Sequence, residues 1–272
     1  MADASRKPAP VEEDDLIERS KMPLLDHLIE LRKRLLWAVV GVFVAFIACW
    51  FVSDQLFNFL TQPLADALGP DSHRRMIYTA MHEAFFTKLK LAFFGAVFLA
   101  FPIIAIQIWK FVAPGLYKHE RMAFLPFLIA TPVLFVLGAA LVYYLVIPLA
   151  WNFFLGYEQA AGNGHLAIEL EAKVSEYLDL IMKLILAFGL SFQLPVLLTL
   201  LARVGLIDST TLTTKRPYAI VITFVVAAVL TPPDIISQIG LGIPILLLYE
   251  ISIIAIRMTE RRREREASKE AS

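Results

Sequence analysis

Two stretches of the chain set a carboxylate among cations beside an apolar run long enough to enter a membrane. His27-Leu28-Ile29-Glu30-Leu31-Arg32-Lys33-Arg34-Leu35 leads directly into the first such run, and Lys118-His119-Glu120-Arg121 precedes a later one. A carboxylate accepts two parallel hydrogen bonds from a guanidinium, a geometry that an ammonium cannot reproduce. Two carboxylates at one interface would therefore suit an extended ligand carrying arginine side chains. A plainer reading stands beside this one. Arg32, Lys33 and Arg34 can be topology anchors. Glu30 can pair with Lys33 or Arg34 for only a few tenths of a kcal/mol, and Glu120 can open a helix whose dipole favours an anion. Spacing alone leaves both open.

The elements that must hold these groups follow from periodicity. Leu24, Leu28, Leu31 and Leu35 recur at helical spacing and form one apolar stripe, with Asp26, Glu30 and Lys33 on another face. Pro23 suits a first helical turn. The stretch therefore predicts an amphipathic helix lying on the headgroups.

Apolar residues make up 58% of the chain and mean hydropathy is +0.66, values that exclude an ordinary soluble domain. Runs of about 20 apolar residues mark membrane spans. We expect six, near 35–52, 84–112, 122–148, 177–202, 217–231 and 239–256. Pro102 should kink the second, Ala113-Pro114-Gly115 ends it, and Pro126 and Pro132 interrupt the third. The fifth is short for a hydrocarbon core of about 30 Å. The sixth is near the lower limit and holds Gly240, Gly242 and Pro244. The bilayer should thin beside these two, or water should reach inward there.

Residues 1–22 read as a disordered cytoplasmic tail, 23–257 as the six-span domain and 258–272 as a charged cytoplasmic tail. No signal-peptide core precedes the spans. Lys and Arg concentrate on one side of a six-span arrangement (Arg32, Lys33, Arg34, Lys118, Arg121, Lys215, Arg216, Arg257 and the tail), which puts both termini in the cytoplasm.

Formal net charge is zero, so no global field points to nucleic acid. Cys49 is the only cysteine, and no HExxH, GxxxxGK[ST] or GxSxG motif occurs. No cofactor or metal is implied. Inside the spans, Gln193 is expected mid-helix, making an interhelical hydrogen bond or serving backbone freed by Pro195. Glu250 should pair with a neighbouring helix, Lys183 should snorkel, and Asp234 sits at a Pro-Pro turn. A solute transporter would need polar residues lining one path, and these are scattered; no inverted repeat is visible. An intramembrane protease would need a Ser-His or paired-Asp arrangement, which the spans lack. A scaffold without cargo remains a rival.

Six stretches in order carry a resemblance: His27 to Leu35 as quoted, Glu83-Ala84-Phe85-Phe86, Ala113-Pro114-Gly115-Leu116-Tyr117-Lys118-His119-Glu120-Arg121, Ala187-Phe188-Gly189-Leu190-Ser191-Phe192-Gln193-Leu194-Pro195-Val196, Lys215-Arg216-Pro217-Tyr218, and Thr231-Pro232-Pro233-Asp234 with Ser237-Gln238. Together they resemble the TatC family, the multispanning core of the twin-arginine protein translocase. The resemblance implies an all-α integral membrane protein, a curved, glove-like bundle of six helices with two short final ones. It implies a receptor rather than an enzyme, in a bacterial cytoplasmic membrane, binding twin-arginine signal peptides of folded cargo. Its partners would be the single-span TatA and TatB, with self-association in the receptor complex and transport driven by the proton-motive force. By the same resemblance, Glu30 and Glu120 would recognise the arginine pair, with Arg32 and Phe111 in that surface. Pro63 would be needed in the first outer loop. Gln193, span five and Gln238 match positions where partners dock or the peptide passes, and Asp234 is a further functional position, as a turn residue or a contact residue. Some members carry Glu where this chain has Gln193. An amide can hydrogen-bond there but cannot titrate.

Overall fold

A computed structural model describes residues 13–69, 75–112, 125–159, 170–203, 205–231 and 235–270. They are almost wholly helical. The helices are α1 (Glu13–Phe51), α2 (Ser53–Leu68), α3 (Glu83–Val112), α4 (Leu125–Leu141), a π-helical turn (Val142–Val146), α5 (Ile147–Leu155), α6 (Val174–Ser191), α7 (Leu194–Arg203), α8 (Ser209–Thr214), α9 (Arg216–Leu230) and α10 (Ile235–Glu270). Among the described residues, five segments are long and apolar enough to cross a membrane: His27–Phe51, Glu83–Phe111, Phe127–Leu155, Val174–Arg203 and Ser237–Arg262. Arg216–Leu230 is apolar but shorter.

Small residues decide which helices meet. In lipid the apolar effect does not drive helices together, so close backbone approach must. α1 packs on α3 along Ala45, Ala96 and Ala100, which are buried against one another. A methyl on Gly41 would lie 3.1 Å from Ile103, and one on Gly95 would lie 2.8 Å from Leu56 and 3.2 Å from the Cys49 Sγ. α4 meets α6 the same way. A methyl on Gly138 would press on the Phe188 carbonyl at 2.7 Å, and one on Gly189 on the Phe135 ring at 2.6 Å. Phe135 is buried and stacks on Phe101 of α3 at 3.7 Å between centroids, so α3, α4 and α6 lock at one level. The main core runs from there towards Leu60, Trp151 and Tyr177.

Several expectations change. The His27 to Leu35 stretch is not a separate surface helix. α1 runs unbroken from Glu13, and Pro23 lies inside it. Helical pairing simply continues into the apolar run. Leu28, Leu31 and Leu35 nevertheless remain exposed, so the stripe is uncovered by protein. Neither Pro126 nor Pro132 breaks the third span. Pro132 is carried within α4, and the interruption is the π-helical turn.

The fourth span is broken between α6 and α7, and Gln193 stands at the break rather than mid-helix. Pro195 cannot donate to the Ser191 carbonyl, and the chain tightens, with Gln193 N donating to Leu190 O at 2.9 Å. Of the two final helices, α9 is short, 15 residues. α10 is long because its charged end continues the same helix for 36 residues in all, docked on α8 by Arg257 and Glu260.

Candidate functional site

A chain of contacts defines one end of the bundle. The His27 ring of α1 stacks on Phe111 in the last turn of α3, 4.3 Å between centroids. One turn back, Trp109 lies 6.0 Å from Phe127 at the start of α4, and its Nε1 donates to Thr131 Oγ1 at 3.3 Å. The Arg203 guanidinium, ending α7, sits over the Phe127 ring at 4.7 Å. α8 joins through Ser209, whose N–H and Oγ donate to Glu260, and through Arg257 Nη2 donating to Thr213 Oγ1 at 2.8 Å. The beginnings of α1 and α4 and the ends of α3, α7 and α10 therefore share one end.

Glu30 lies one helical turn beyond His27 on α1. Its Oε1 accepts from Arg34 Nη2 at 3.0 Å, with both side chains roughly 30% exposed. That pair is local and half-solvated, worth a few tenths of a kcal/mol. It leaves the second Glu30 oxygen available. Arg32 is exposed. Phe111 is half-buried and reaches α1 through His27. The structure thus brings Glu30, Arg32 and Phe111 to the same end.

Glu120 lies outside the described residues. The segment that carries it leaves from Val112 and returns at Leu125, both at this end, and Glu120 is five residues before Leu125. Asp234 also lies outside the described residues. Gln238, half-buried, is in the first turn of α10 at the opposite end.

Pro63 is buried inside α2, at the end opposite Glu30. Gln193 does what backbone cannot at the α6–α7 break: its Nε2 donates to Gly189 O at 3.3 Å and across to Thr131 O of α4 at 3.1 Å. Glu250 pairs with Arg216 at 2.6 Å, the neighbouring-helix partner expected of it. Lys183 is exposed.

Residue-by-residue reading missed two clusters. Glu83, quoted above only as part of a motif, anchors the opposite end. Its Oε2 accepts from Thr79 N at 2.9 Å, and its Oε1 from Ser175 Oγ at 2.6 Å and Ser175 N at 3.4 Å. Lys173 is 3.9 Å away. Beside it, Ile77 and Lys173 form a backbone bridge, so the starts of α3 and α6 are tied together. Burial of a carboxylate at a helix start demands donors, and that was the available signal. The second cluster is Tyr143 and Tyr177, which donate to the Phe59 and Leu60 carbonyls of α2 at 2.6 and 2.7 Å. The signal there was a proline inside a helix, which strips a carbonyl of its donor. Among the described residues, no group of three or more His, Cys, Asp or Glu could hold a metal ion.

The profile of a family described as Sec-independent protein translocase protein (TatC) matches residues 26–244. A protein of that description from Magnetococcus marinus is 52% identical over 92% of this chain and 90% of its own length. The Escherichia coli K12 protein is 39% identical over 86% of this chain and 88% of its own. A crystal structure of the twin arginine translocase receptor TatC superposes with a TM-score of 0.73 at 34% identity, covering 85% of this chain and 99% of that one. With its helical bundle, its membrane-length apolar segments and this match across most of its length, the chain belongs to the TatC family of Sec-independent protein translocase components.

Proposed function

We propose that this chain is the receptor core of a twin-arginine translocase. The end bearing His27, Glu30 and Phe111 faces the cytoplasm, both termini lie there, and six helices cross a bacterial cytoplasmic membrane. Residues 23–257 form the membrane domain, with a cytoplasmic tail on each side. Glu30 and Glu120 take the two guanidinium groups of a signal peptide borne by folded cargo. Arg32 and Phe111 border the site, and the peptide's apolar stretch runs on along the bundle. TatA and TatB dock in the membrane near Gln193 and Gln238, copies of the chain associate in the receptor complex, and the proton-motive force drives transport. Pro63 acts at the opposite end, and Asp234 is a further functional residue.

One observation carries this reading. A half-exposed carboxylate, held among the described residues by an i,i+4 arginine, sits at the end where the segment carrying a second carboxylate begins and ends. An incoming guanidinium exchanges for Arg34 at little cost and adds a bidentate bond. The solute-transporter reading weakens, because Gln193 and Glu250 are engaged with neighbouring helices.

The test is crosslinking of a photoreactive twin-arginine peptide to the inserted protein. Glu30→Ala and Glu120→Ala should each lower the yield by roughly tenfold or more, the scale of a charged hydrogen bond. Glu→Gln should cost less, since one acceptor oxygen remains, and a twin-lysine peptide should bind poorly. Unchanged yield in both alanine variants removes these residues from the site.

A further inference from the structure

Pro63 stands inside α2, and the helix continues through it. Proline has no N–H, so the Phe59 carbonyl loses its intrahelical donor. Tyr143 supplies one. Its hydroxyl donates to that oxygen at 2.6 Å, and its ring lies on the Phe59 ring, 4.4 Å between centroids and 4° from parallel. Tyr177 of α6 donates to the next carbonyl, Leu60, at 2.7 Å. Tyr143 belongs to the π-helical turn. The wider turn shifts the helical register, and Tyr143 comes out 8% exposed where its neighbour Tyr144 is 72% exposed.

This contact stands between two cavities. One, of about 550 Å³, is apolar, with Cys49, Leu56, Phe94 and Phe98 among its walls. The other, of about 530 Å³, carries Gln62, Asp66 and Asn152. Phe59, Tyr143 and Tyr144 line both. Where α2 lies therefore sets the outer wall of the apolar cavity and its separation from the polar one.

We infer that Pro63 and Tyr143 are one functional unit. The proline frees the Phe59 carbonyl, the tyrosine hydroxyl takes it, and the bond holds α2 in place during translocation. Tyr143 is thus a positioning residue, with Tyr177 as a second pin. The inference rests on the translocase reading only through the assay, export of a twin-arginine cargo by the complete translocase.

The experiment is a double-mutant cycle of Tyr143→Phe and Pro63→Ala. Tyr143→Phe keeps the ring stack and removes one hydroxyl. Pro63→Ala returns the N–H to the Phe59 carbonyl, and Pro63→Gly does the same should the alanine variant fail to insert. Each single variant should lower export by about fivefold, the scale of one lost hydrogen bond. The double variant should be no worse than the worse single one, because Pro63→Ala supplies the Phe59 carbonyl with the donor that Tyr143→Phe takes away. Twin-arginine peptide crosslinking at the Glu30 end should stay at the wild-type level, and the melting temperature in detergent should fall only slightly, as for one lost hydrogen bond. Wild-type export by Tyr143→Phe overturns the inference, as do losses that multiply in the double variant. An export loss that falls in step with melting temperature and crosslinking assigns Tyr143 to stability alone and also overturns it. Loss of crosslinking by wild-type protein would instead count against the receptor site, leaving this cycle readable.

Discussion

At the scale of single residues, the decisive property of Glu30 is how weakly it is held. Its partner Arg34 is four residues on along the same helix, and such a pair contributes about 0.3–0.5 kcal/mol. Removing a competitor of that strength should raise affinity for a twin-arginine peptide about twofold. Arg34→Ala is expected to bind slightly more tightly in a titration at fixed salt. A clear loss of affinity would mean that Arg34 orients Glu30 rather than competes for it. Gln193 makes the opposite case, a polar side chain fully committed to the fold. Gln193→Leu leaves the Gly189 and Thr131 carbonyls without that donor, at a cost of roughly 0.6–1.7 kcal/mol. A lower melting temperature in detergent is expected, while Gln193→Glu should fall between. An unchanged melting temperature for the leucine variant would show that the break needs no side-chain donor.

At the scale of elements, legibility followed the range of the forces. Apolar runs announced each of the five membrane-length segments, since a span must satisfy its own backbone. The breaks were harder. Pro195 signalled trouble in the fourth span, yet the turn falls at 192–193, where Phe192 and Gln193 meet α4. The π-helical turn at Val142 to Val146 left no trace in composition, and the contact made from it, Tyr143 with Phe59, joins residues far apart in sequence. The helix joining Glu13 to Phe51 was hidden for the converse reason. Charge and apolar character change along it, but helical hydrogen bonding does not.

Helix packing gives a sharper forecast. A methyl on Gly189 would meet a ring already stacked on Phe101. Gly189→Ala should therefore destabilise by about 1–3 kcal/mol despite its better helix propensity. A melting temperature equal to or above wild type would show that Phe135 can yield. At the α8 elbow, the Thr211 hydroxyl and then its N–H hold the Asp208 carboxyl below the usual range. The lowered value means that the cap stabilises α8 above the ordinary carboxylate pKa and is lost as pH falls through the folded one. Protection of the Thr211 amide from hydrogen exchange should persist through mild acid and fail only below that range.

For the whole molecule, family and helical architecture were readable because six stretches occur in a fixed order. Neither pinning tyrosine was read from sequence, and Glu83 entered only within a motif, since burial and partners are three-dimensional facts. In the proposed topology both tails lie in the cytoplasm, and reporters fused to either end should respond only to cytoplasmic reagents. α9, at about 22 Å, falls short of a hydrocarbon core of about 30 Å. Spin labels along 221–230 should report a thinned or wetted bilayer, and full-thickness lipid on every side would contradict that.

The central claim is that carboxylates from two parts of the chain meet at one end to grip a pair of guanidinium groups. The most direct measurement places a photoreactive group beside the arginine pair of a signal peptide and maps its adducts on the inserted protein by mass spectrometry. The account predicts adducts both on α1 around Glu30 and on the 113–124 segment around Glu120, lost together when the arginines become lysines. Adducts on one of these alone, or at the end bearing Pro63 and Glu83, would contradict it.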